Sequence, residues 1–416
     1  MKVTRGYKTE LDLNDKQRTA CLKHAGAARW AYNWGLARKN AAHEAGERTP
    51  TAIDLHKELN RLKKADHPWL YETSKCAPQE ALRNLDKAFA NFFRRVKIKK
   101  GKPGYPKFKS RKRGVGSFTL TGSIHVFPYH IQLPRLGRLR LKESDYLPDE
   151  SDTVHILKTI VSEHAGRWFV SIQIEEERPD PSPATGPVIG IDLGIKAMAT
   201  CSSGQAFENP KALGKAQKKL RRLQRQLCRR KKGGKNRDKT RQKIAKFHFR
   251  IANIRKDALH KATTAIVAKA KPDSERPSAI VLETLNVSGM LKNHSLARAI
   301  ADVGMSEFQR QITYKAAWYG SAVIRPDRFF PSSRLCSECG VINDGLTLSD
   351  RTWQCVCGAI HDRDDNASMN LKRYGEFHRN QNACGEESSG SSFAAGTKLS
   401  SAKQESDVGF TSGRFE

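Results

Sequence analysis

Apolar positions along the chain change their period twice. Between residues 15 and 96 they recur at helical spacing. The clearest segments are AARWAYNWGLARKNAA and PQEALRNLDKAFANFFRRVK, where Leu82, Leu85, Phe89 and Phe92 share one face. Pro78 suits the first turn of that second helix, where a missing N–H costs nothing. Residues 1–10 read as a strand, and 97–114 as a basic loop rich in Gly and Pro. From Ser117 to Glu177 the period drops to two. SFTLTG, SIHVFPYHIQLP, GRLRLK, TVHILKTIVSE and RWFVSIQIEEE read as antiparallel strands, and several short strands in a row predict a small barrel. RPDPSPATGP (178–187) has the composition of a linker. At Val188 a new regime starts. VIGIDLG, KAMATCSS, PSAIVLETLN and SAVIRPD read as strands, with a helical tract from about 210 to 270 and a helix over 304–318. Strands with helical crossovers predict an α/β sheet. A cysteine-bearing segment interrupts it, and DDNASMNLKRYG resumes as a helix. The Ser/Gly/Glu-rich tail after Glu376 has too little apolar content to pack and is expected to be disordered.

Charge changes this picture most. Against 43 Asp and Glu the 416-residue chain sets 75 Lys and Arg, a net charge of +32. That excess repels itself in a compact state, so a polyanionic partner is expected. Nucleic acid is the leading candidate and an anionic membrane surface the rival. No run of about 18 apolar residues is present to span a bilayer. The start, MKVTRGYKTELDLND, has no apolar signal-peptide core, so a cytoplasmic location is expected. Of nine cysteines, Cys21, Cys76, Cys201, Cys228 and Cys384 are scattered. This fits a reducing compartment with metal-bound thiolates better than a disulfide framework.

The cations concentrate. Residues 211–256 hold twenty Lys or Arg and one acid, Asp238. Leu213, Leu220, Leu223 and Leu227 form one apolar stripe; Ile244, Phe247, Ile251 and Ile254 form another, with KKGGKN as the turn of a helical hairpin. A charge run is usually a solvated face, but a run of one sign favours backbone binding to nucleic acid, with Arg221, Arg222 and Arg225 as candidates. The loop KPGYPKFKSRKR interleaves Tyr105 and Phe108 with Lys107 and Lys109 and could stack bases. Trp30, Tyr32 and Trp34 sit at helical spacing and are expected in the core.

Two carboxylates stand where they are costly. Asp192 ends an apolar strand in VIGIDLG, and Glu283 does the same in AIVLETLN. A third acid lies in HDRDDNAS, at a helix start. Each acid alone could cap a turn or pair with a cation. Converging from two strands and a helix, the three could hold two Mg²⁺ ions and hydrolyse a phosphodiester. Just upstream, Cys336-x₂-Cys339 and Cys355-x-Cys357 are separated by fifteen residues, with Gly340 and Gly358 after each pair. The spacing fits one structural Zn²⁺, although the second pair is one residue short and His361 could replace a thiolate. Such a site would contribute on the order of 10 kcal/mol to local folding. A catalytic zinc would leave Asp192 and Glu283 without a role.

The segments GIDLG, VLETLNV, RFFPSSRLCSECG and WQCVCGAIHDRDDNASMNL resemble the TnpB family of transposon-encoded proteins, relatives of the type V CRISPR effector nucleases. ARWAYNWGL, APQEALRNLDKAFANFF and GYPKFKSR extend the resemblance towards the N-terminus, so that it covers roughly residues 5–375. It implies a multidomain α/β fold plus a β-barrel. In that fold an RNase H-like RuvC nuclease domain carries a zinc-finger insertion. A wedge-type β-barrel with a helical recognition insert precedes it. The corresponding boundaries are 1–12 and 99–182 for the barrel and 13–98 for the insert. The nuclease domain takes 183–333, with the basic hairpin at 210–270. The zinc finger takes 334–360, the last nuclease helix 361–376, and the tail 377–416. The resemblance assigns Asp192, Glu283 and Asp364 as the catalytic, Mg²⁺-binding acids, and Cys336, Cys339, Cys355 and Cys357 as zinc ligands. The D-x-N-A register selects Asp364 over Asp362 and Asp365, leaving Asp362 as a helix-start residue. Asp365 departs from the family, which usually has an apolar residue there. The implied partners are a guide RNA from the transposon end and double-stranded target DNA, bound by a monomer carrying one RNA. A short flanking motif would be read from the barrel and insert, with Lys75 and Gln79 as candidates. The expected function is RNA-guided DNA cleavage. The alternatives are a guide-independent transposase, a non-cutting RNA-guided DNA-binding regulator, and a basic RNA-binding protein that only shares the fold.

Overall fold

A computed structural model describes residues 1–98, 103–347 and 349–383, which divide into two compact units. One unit comprises residues 1–180 and 217–251; the other comprises 181–216 and the described residues from 252 on. Among the described residues, no helix is long and apolar enough to cross a membrane.

The first unit begins with β1 (Lys2–Asp12) and three helices, α1 (Asp15–Glu44), α2 (Ala52–Ala65) and α3 (Cys76–Ile98). Asn14 and Gln17 form a capping box that starts α1, as Thr51 and Asp54 do for α2. There follow β2 (Ser117–Leu120), β3 (His125–Phe127), β4 (His130–Leu133), β5 (Gly137–Leu141), β6 (Val154–His164) and β7 (Arg167–Glu177). They form an antiparallel sheet in the order β2-β6-β7-β1-β5-β4-β3. Its edges are β2 and β3, and among the described residues no ladder joins them into the closed barrel that the strand pattern predicts. The run SIHVFPYHIQLP is also two strands, not one. Pro128 has no N–H for a ladder, and Pro128–Tyr129 turns β3 back on β4. One core joins sheet and helices, with Leu36, Leu55, Leu82, Leu85, Phe118, Leu120 and Val170 buried in it. Tyr32 is buried there, and Trp30 and Trp34 pack against it half-buried, as their spacing predicts.

The second unit starts with β8 (Ile189–Asp192), β9 (Ala197–Cys201) and β10 (Ala206–Glu208). The basic tract forms α4 (Ala212–Arg229) and α5 (Lys235–Ile266), turning at Gly233 with φ +84°, and its residues 217–251 belong to the first unit. Then come β11 (Ala279–Leu282), α6 (Val287–Met290), α7 (Ala297–Val303), α8 (Met305–Trp318) and β12 (Ala322–Ile324). The chain continues with β13 (Thr352–Gln354), β14 (Ile360–Asp362) and α9 (Arg363–Ala383). The sheet order is β10-β9-β8-β11-β12, with β8, β11 and β12 parallel and the other pairs antiparallel. Helix α9 runs past Glu376, where loss of apolar content predicts its end. Arg379 anchors it by donating to Ser278 Oγ. The tail from 384 lies outside the described residues.

Helix α9 lies directly on β8 and β11 because two glycines let it. A Cβ at Gly190 would overlap the backbone of Ser368 and Lys372 and stand 2.9 Å from Leu371 Cβ. A Cβ at Gly375 would overlap Val281 and stand 2.9 Å from Val188 Cγ1. Since neither neighbour can retreat without moving helix or sheet, Gly190→Ala should cost roughly 2–3 kcal/mol in urea unfolding. A cost near zero would show that the helix seat is soft.

Candidate metal centre

Asp192 and Glu283 are neighbours by register. In the parallel pair β8·β11, Ile189 opposes Ile280, Gly190 opposes Val281 and Ile191 opposes Leu282. One step further come Asp192, the last residue of β8, and Glu283, just past the end of β11. The backbone of Glu283 is fixed by Gln309 Nε2, which donates to its carbonyl at 3.2 Å, and Thr284 Oγ1 bonds Pro326 O at 2.7 Å. The Glu283 carboxylate accepts from Ser332 Oγ.

The third acid comes from the start of α9, where three aspartates take three positions. Asp362 is exposed and caps the helix, its Oδ1 accepting from the N–H of Asp364 at 2.9 Å and of Asp365 at 3.2 Å. Asp365 is also exposed. Asp364 is half-buried, with Arg351 Nη1 at 3.6 Å. It acts electrostatically on both Asp192 and Glu283.

Burial pushes the Asp192 carboxyl well above the usual carboxylate range, and the charges of Glu283 and Asp364 push it further. Burial likewise raises Glu283, with Ser332 and Arg363 opposing. Arg363 and Arg351 reduce the repulsion at Asp192 without cancelling it. The three carboxylates feel one another electrostatically, and oxygens are the donor set a hard divalent cation such as Mg²⁺ takes, although among the described residues only the four cysteines bring their ligand atoms within 4.8 Å of one another. Sequence reasoning missed Ser332, Arg351 and Arg363. Only Arg363 carried a signal, as the lone cation inside HDRDD.

The four cysteine sulfurs lie within 4.8 Å of one another. Cys336 Sγ is 3.8 Å from Cys357 Sγ, and Cys339 Sγ is 3.5 Å from Cys355 Sγ. A tetrahedral zinc with bonds of about 2.3 Å needs sulfurs about 3.8 Å apart, so the cluster fits that ion. Gly340 and Gly358 take the knuckle turns at φ +77° and +90°. Burial raises the Cys336 thiol, but N–H groups of Cys339 and Glu338 and the His361 ring outweigh it, bringing it down to about 6. His361, the alternative ligand, stands beside the cluster with Nε2 3.0 Å from Cys336 Sγ. Its ring packs on Trp353, its partner across β13·β14.

The nucleic-acid candidates belong to the first unit. Lys75 is exposed and lines a cavity of about 730 Å³ with Lys63, Lys64 and Arg135; Gln79 is half-buried. The basic loop is strapped along α1. Val115 O accepts from Arg29, Lys109 exchanges two main-chain bonds with Asn33, and Tyr105 donates to Asn40 Oδ1 at 2.7 Å. Tyr105 is thereby committed, edge-on to Phe89 and Phe92. The Lys109 ammonium rests 3.9 Å above the Tyr32 ring. Lys107 and Phe108 are exposed. On the hairpin, Arg221, Arg222 and Arg225 are exposed, while Leu220 and Ile251 of the predicted stripes are buried and Ile254 is not.

Family models match three stretches: "Probable transposase" over residues 171–294, "Cas12f1-like, TNB domain" over 306–371, and "Helix-turn-helix domain" over 1–48. In this chain residues 1–48 form β1 and the single unbroken helix α1. A Streptomyces pristinaespiralis protein named "Putative RNA-guided DNA endonuclease" is 36% identical over 97% of this chain and 96% of its own. InsQ of Escherichia coli K12, named in the same way, is 33% identical over 93% of this chain and 95% of its own. The CRISPR-associated endodeoxyribonuclease Cas12f1 of Sulfoacidibacillus thermotolerans is 27% identical over 56% of this chain and 54% of its own.

The raised carboxyls fix a pH dependence. The fold retains protons at Asp192 and Glu283 that the unfolded chain releases above about pH 4. Their contribution to stability therefore falls as pH rises through the elevated values. A bound cation should reverse this loss, so Mg²⁺ should raise the melting temperature more at neutral pH than at about pH 5. Asp192→Asn should abolish that difference in a thermal-shift series. An equal Mg²⁺ effect in the variant would refute the site.

Proposed function

The chain belongs to the TnpB family of transposon-encoded proteins, and from that premise we propose that it is an RNA-guided DNA endonuclease. A guide RNA reads sequence by base pairing, and the protein reads duplex shape and a short flanking motif. The observation that carries the catalytic part is the side-by-side register of Asp192 and Glu283, with Asp364 acting on both. Two Mg²⁺ ions held by these acids would supply an activated water and stabilise the departing 3′ oxygen in one RNase H-like RuvC site. The chain's own residues hold the geometry. Ser332 orients Glu283, Asp362 fixes the first turn that presents Asp364, and Arg351 and Arg363 supply positive charge near the scissile phosphate. The four-cysteine cluster with one Zn²⁺ acts as a structural clip, since four thiolates leave no open position. Phosphate binding falls to the one-signed hairpin with Arg221, Arg222 and Arg225, and to Lys107 on the strapped loop. Motif reading falls to the region of Lys75 and Gln79. The protein binds its RNA as a monomer in this reading.

Purified with its RNA, the protein should cleave a plasmid bearing the matching target in Mg²⁺ but not in EDTA. Asp192→Ala, Glu283→Ala and Asp364→Ala should each lower the rate by roughly three orders of magnitude while retaining RNA. Asp362→Ala should lose only a cap of about 1 kcal/mol and most of the activity should survive. If Asp362→Ala is as inactive as Asp192→Ala, the acid is misassigned. Cleavage by protein stripped of RNA would instead favour the guide-independent transposase.

A further inference from the structure

Glu283 is held by more than its own strand. Ser332, whose hydroxyl bonds its carboxylate, is buried in the segment PSSRLC between β12 and the first cysteine knuckle. That segment lies in no regular ladder, and two asparagines of α9 fix it. Asn370 Nδ2 donates to Ser332 O at 2.8 Å and to Leu335 O at 2.6 Å. Asn366 Nδ2 donates to Leu335 O at 2.7 Å, and Asn366 Oδ1 accepts from Ser337 N at 2.9 Å. Asn366, Asn370, Ser332 and Ser337 are all buried.

Leu335 and Ser337 flank Cys336, and Asn366 follows Asp364 by two residues. One buried network therefore joins the first cysteine pair, the helix that presents Asp364 and the carboxylate of Glu283. Packing alone does not call for it. Two buried carboxamides are costly unless bonded, and apolar side chains would fill the same volume more cheaply. What apolar side chains cannot do is fix the position of a hydroxyl through main-chain carbonyls. Outer-shell partners of this kind orient the ligands of a metal.

We propose that Ser332 is a positioning residue for Glu283, and that the Asn366–Asn370 latch passes the state of the four-cysteine cluster to it. A metal on the cysteines sets the Cys336 knuckle, the knuckle and the latch set Ser332, and Ser332 turns Glu283 towards the cation shared with Asp192 and Asp364. The cysteine cluster is in this way a tuning element of the carboxylate site as well as a clip. The inference rests on the carboxylates being a cation site.

The test uses the full chain and reads Mg²⁺-dependent thermal stabilisation without nucleic acid, alongside zinc content by atomic absorption. Ser332→Ala should keep its zinc yet need about tenfold more Mg²⁺ for half-maximal stabilisation, and Ser332→Thr should recover part of that. Cys339→Ser, losing zinc, should raise the Mg²⁺ requirement similarly. The double variant should be no worse than Cys339→Ser alone, because both changes break one chain of contacts. If Cys339→Ser does not fold, zinc is stripped from wild type and Ser332→Ala with phenanthroline and the same comparison is made. A Ser332→Ala titration matching wild type, or additive effects in the double variant, overturns the latch. A wild-type chain with no Mg²⁺ response overturns the latch and the cation site together.

Discussion

The mutual repulsion of Asp192, Glu283 and Asp364 is the constraint on which the second unit depends. Parallel pairing of β8 and β11 makes the first two neighbours along the backbone. The third arrives on α9 and acts electrostatically on both. Gly190 and Gly375 permit this by removing the side chains that would hold α9 off the sheet. Ser332, Arg351 and Arg363 soften the charge but leave Asp192 well above the usual carboxylate range. The helix and sheet are in close contact where they meet the acids. A softer seat would let the helix swing out and relax the repulsion, and the cation site proposed for these acids would lose its preorganisation.

How much of this was legible in the sequence follows from which forces act locally. Asp192 and Glu283 stood out because a charge at the end of an apolar run is a local anomaly. The cysteine pairs stood out because knuckle geometry fixes spacing within a few residues. Choosing Asp364 from HDRDD needed the resemblance, since three acids in four positions are alike by composition. The structure separates them by cap geometry and burial. Ser332 was not legible, for one serine in PSSR carries no signal until α9 packs over it. The same limit applies to the fold. Closure of a sheet depends on twist summed over seven strands, which no period reports. Pro128 did carry a local signal, a missing N–H inside a strand pattern, and it marks the hairpin. The end of α9 is not legible locally, because Arg379 finds Ser278, about a hundred residues earlier in the chain.

Elsewhere the electrostatic problem has the opposite sign. Twenty cations within 211–256 face one acid, Asp238, which pairs with Arg241. Arg230 and Arg237 turn inward to main-chain carbonyls and Thr240, which fixes the turn. At the other end, the buried Asp302 carboxylate accepts from the N–H groups of Leu213 and Gly214 and so starts α4. The hairpin is thus tied at both ends while its exposed arginines repel one another along its length. Tyr105 and Lys109 show the converse. Sequence composition offers them as ligand contacts, yet both are occupied by α1, and they serve to hold the strap that presents Lys107 and Phe108.

One kind of complex would relieve both imbalances. A nucleic acid would supply the negative charge that the hairpin and strap lack, and its phosphates would bring hard oxygen donors to cations held by the acids in the proposed site. Neither requirement is met by a small anion or an apolar partner. A free divalent ion would answer only the carboxylates, and a non-catalytic polyanion only the cations. The coexistence of a costly acid cluster and a costly cationic surface in one chain therefore argues more strongly for metal-dependent chemistry on a nucleic acid than either feature does alone.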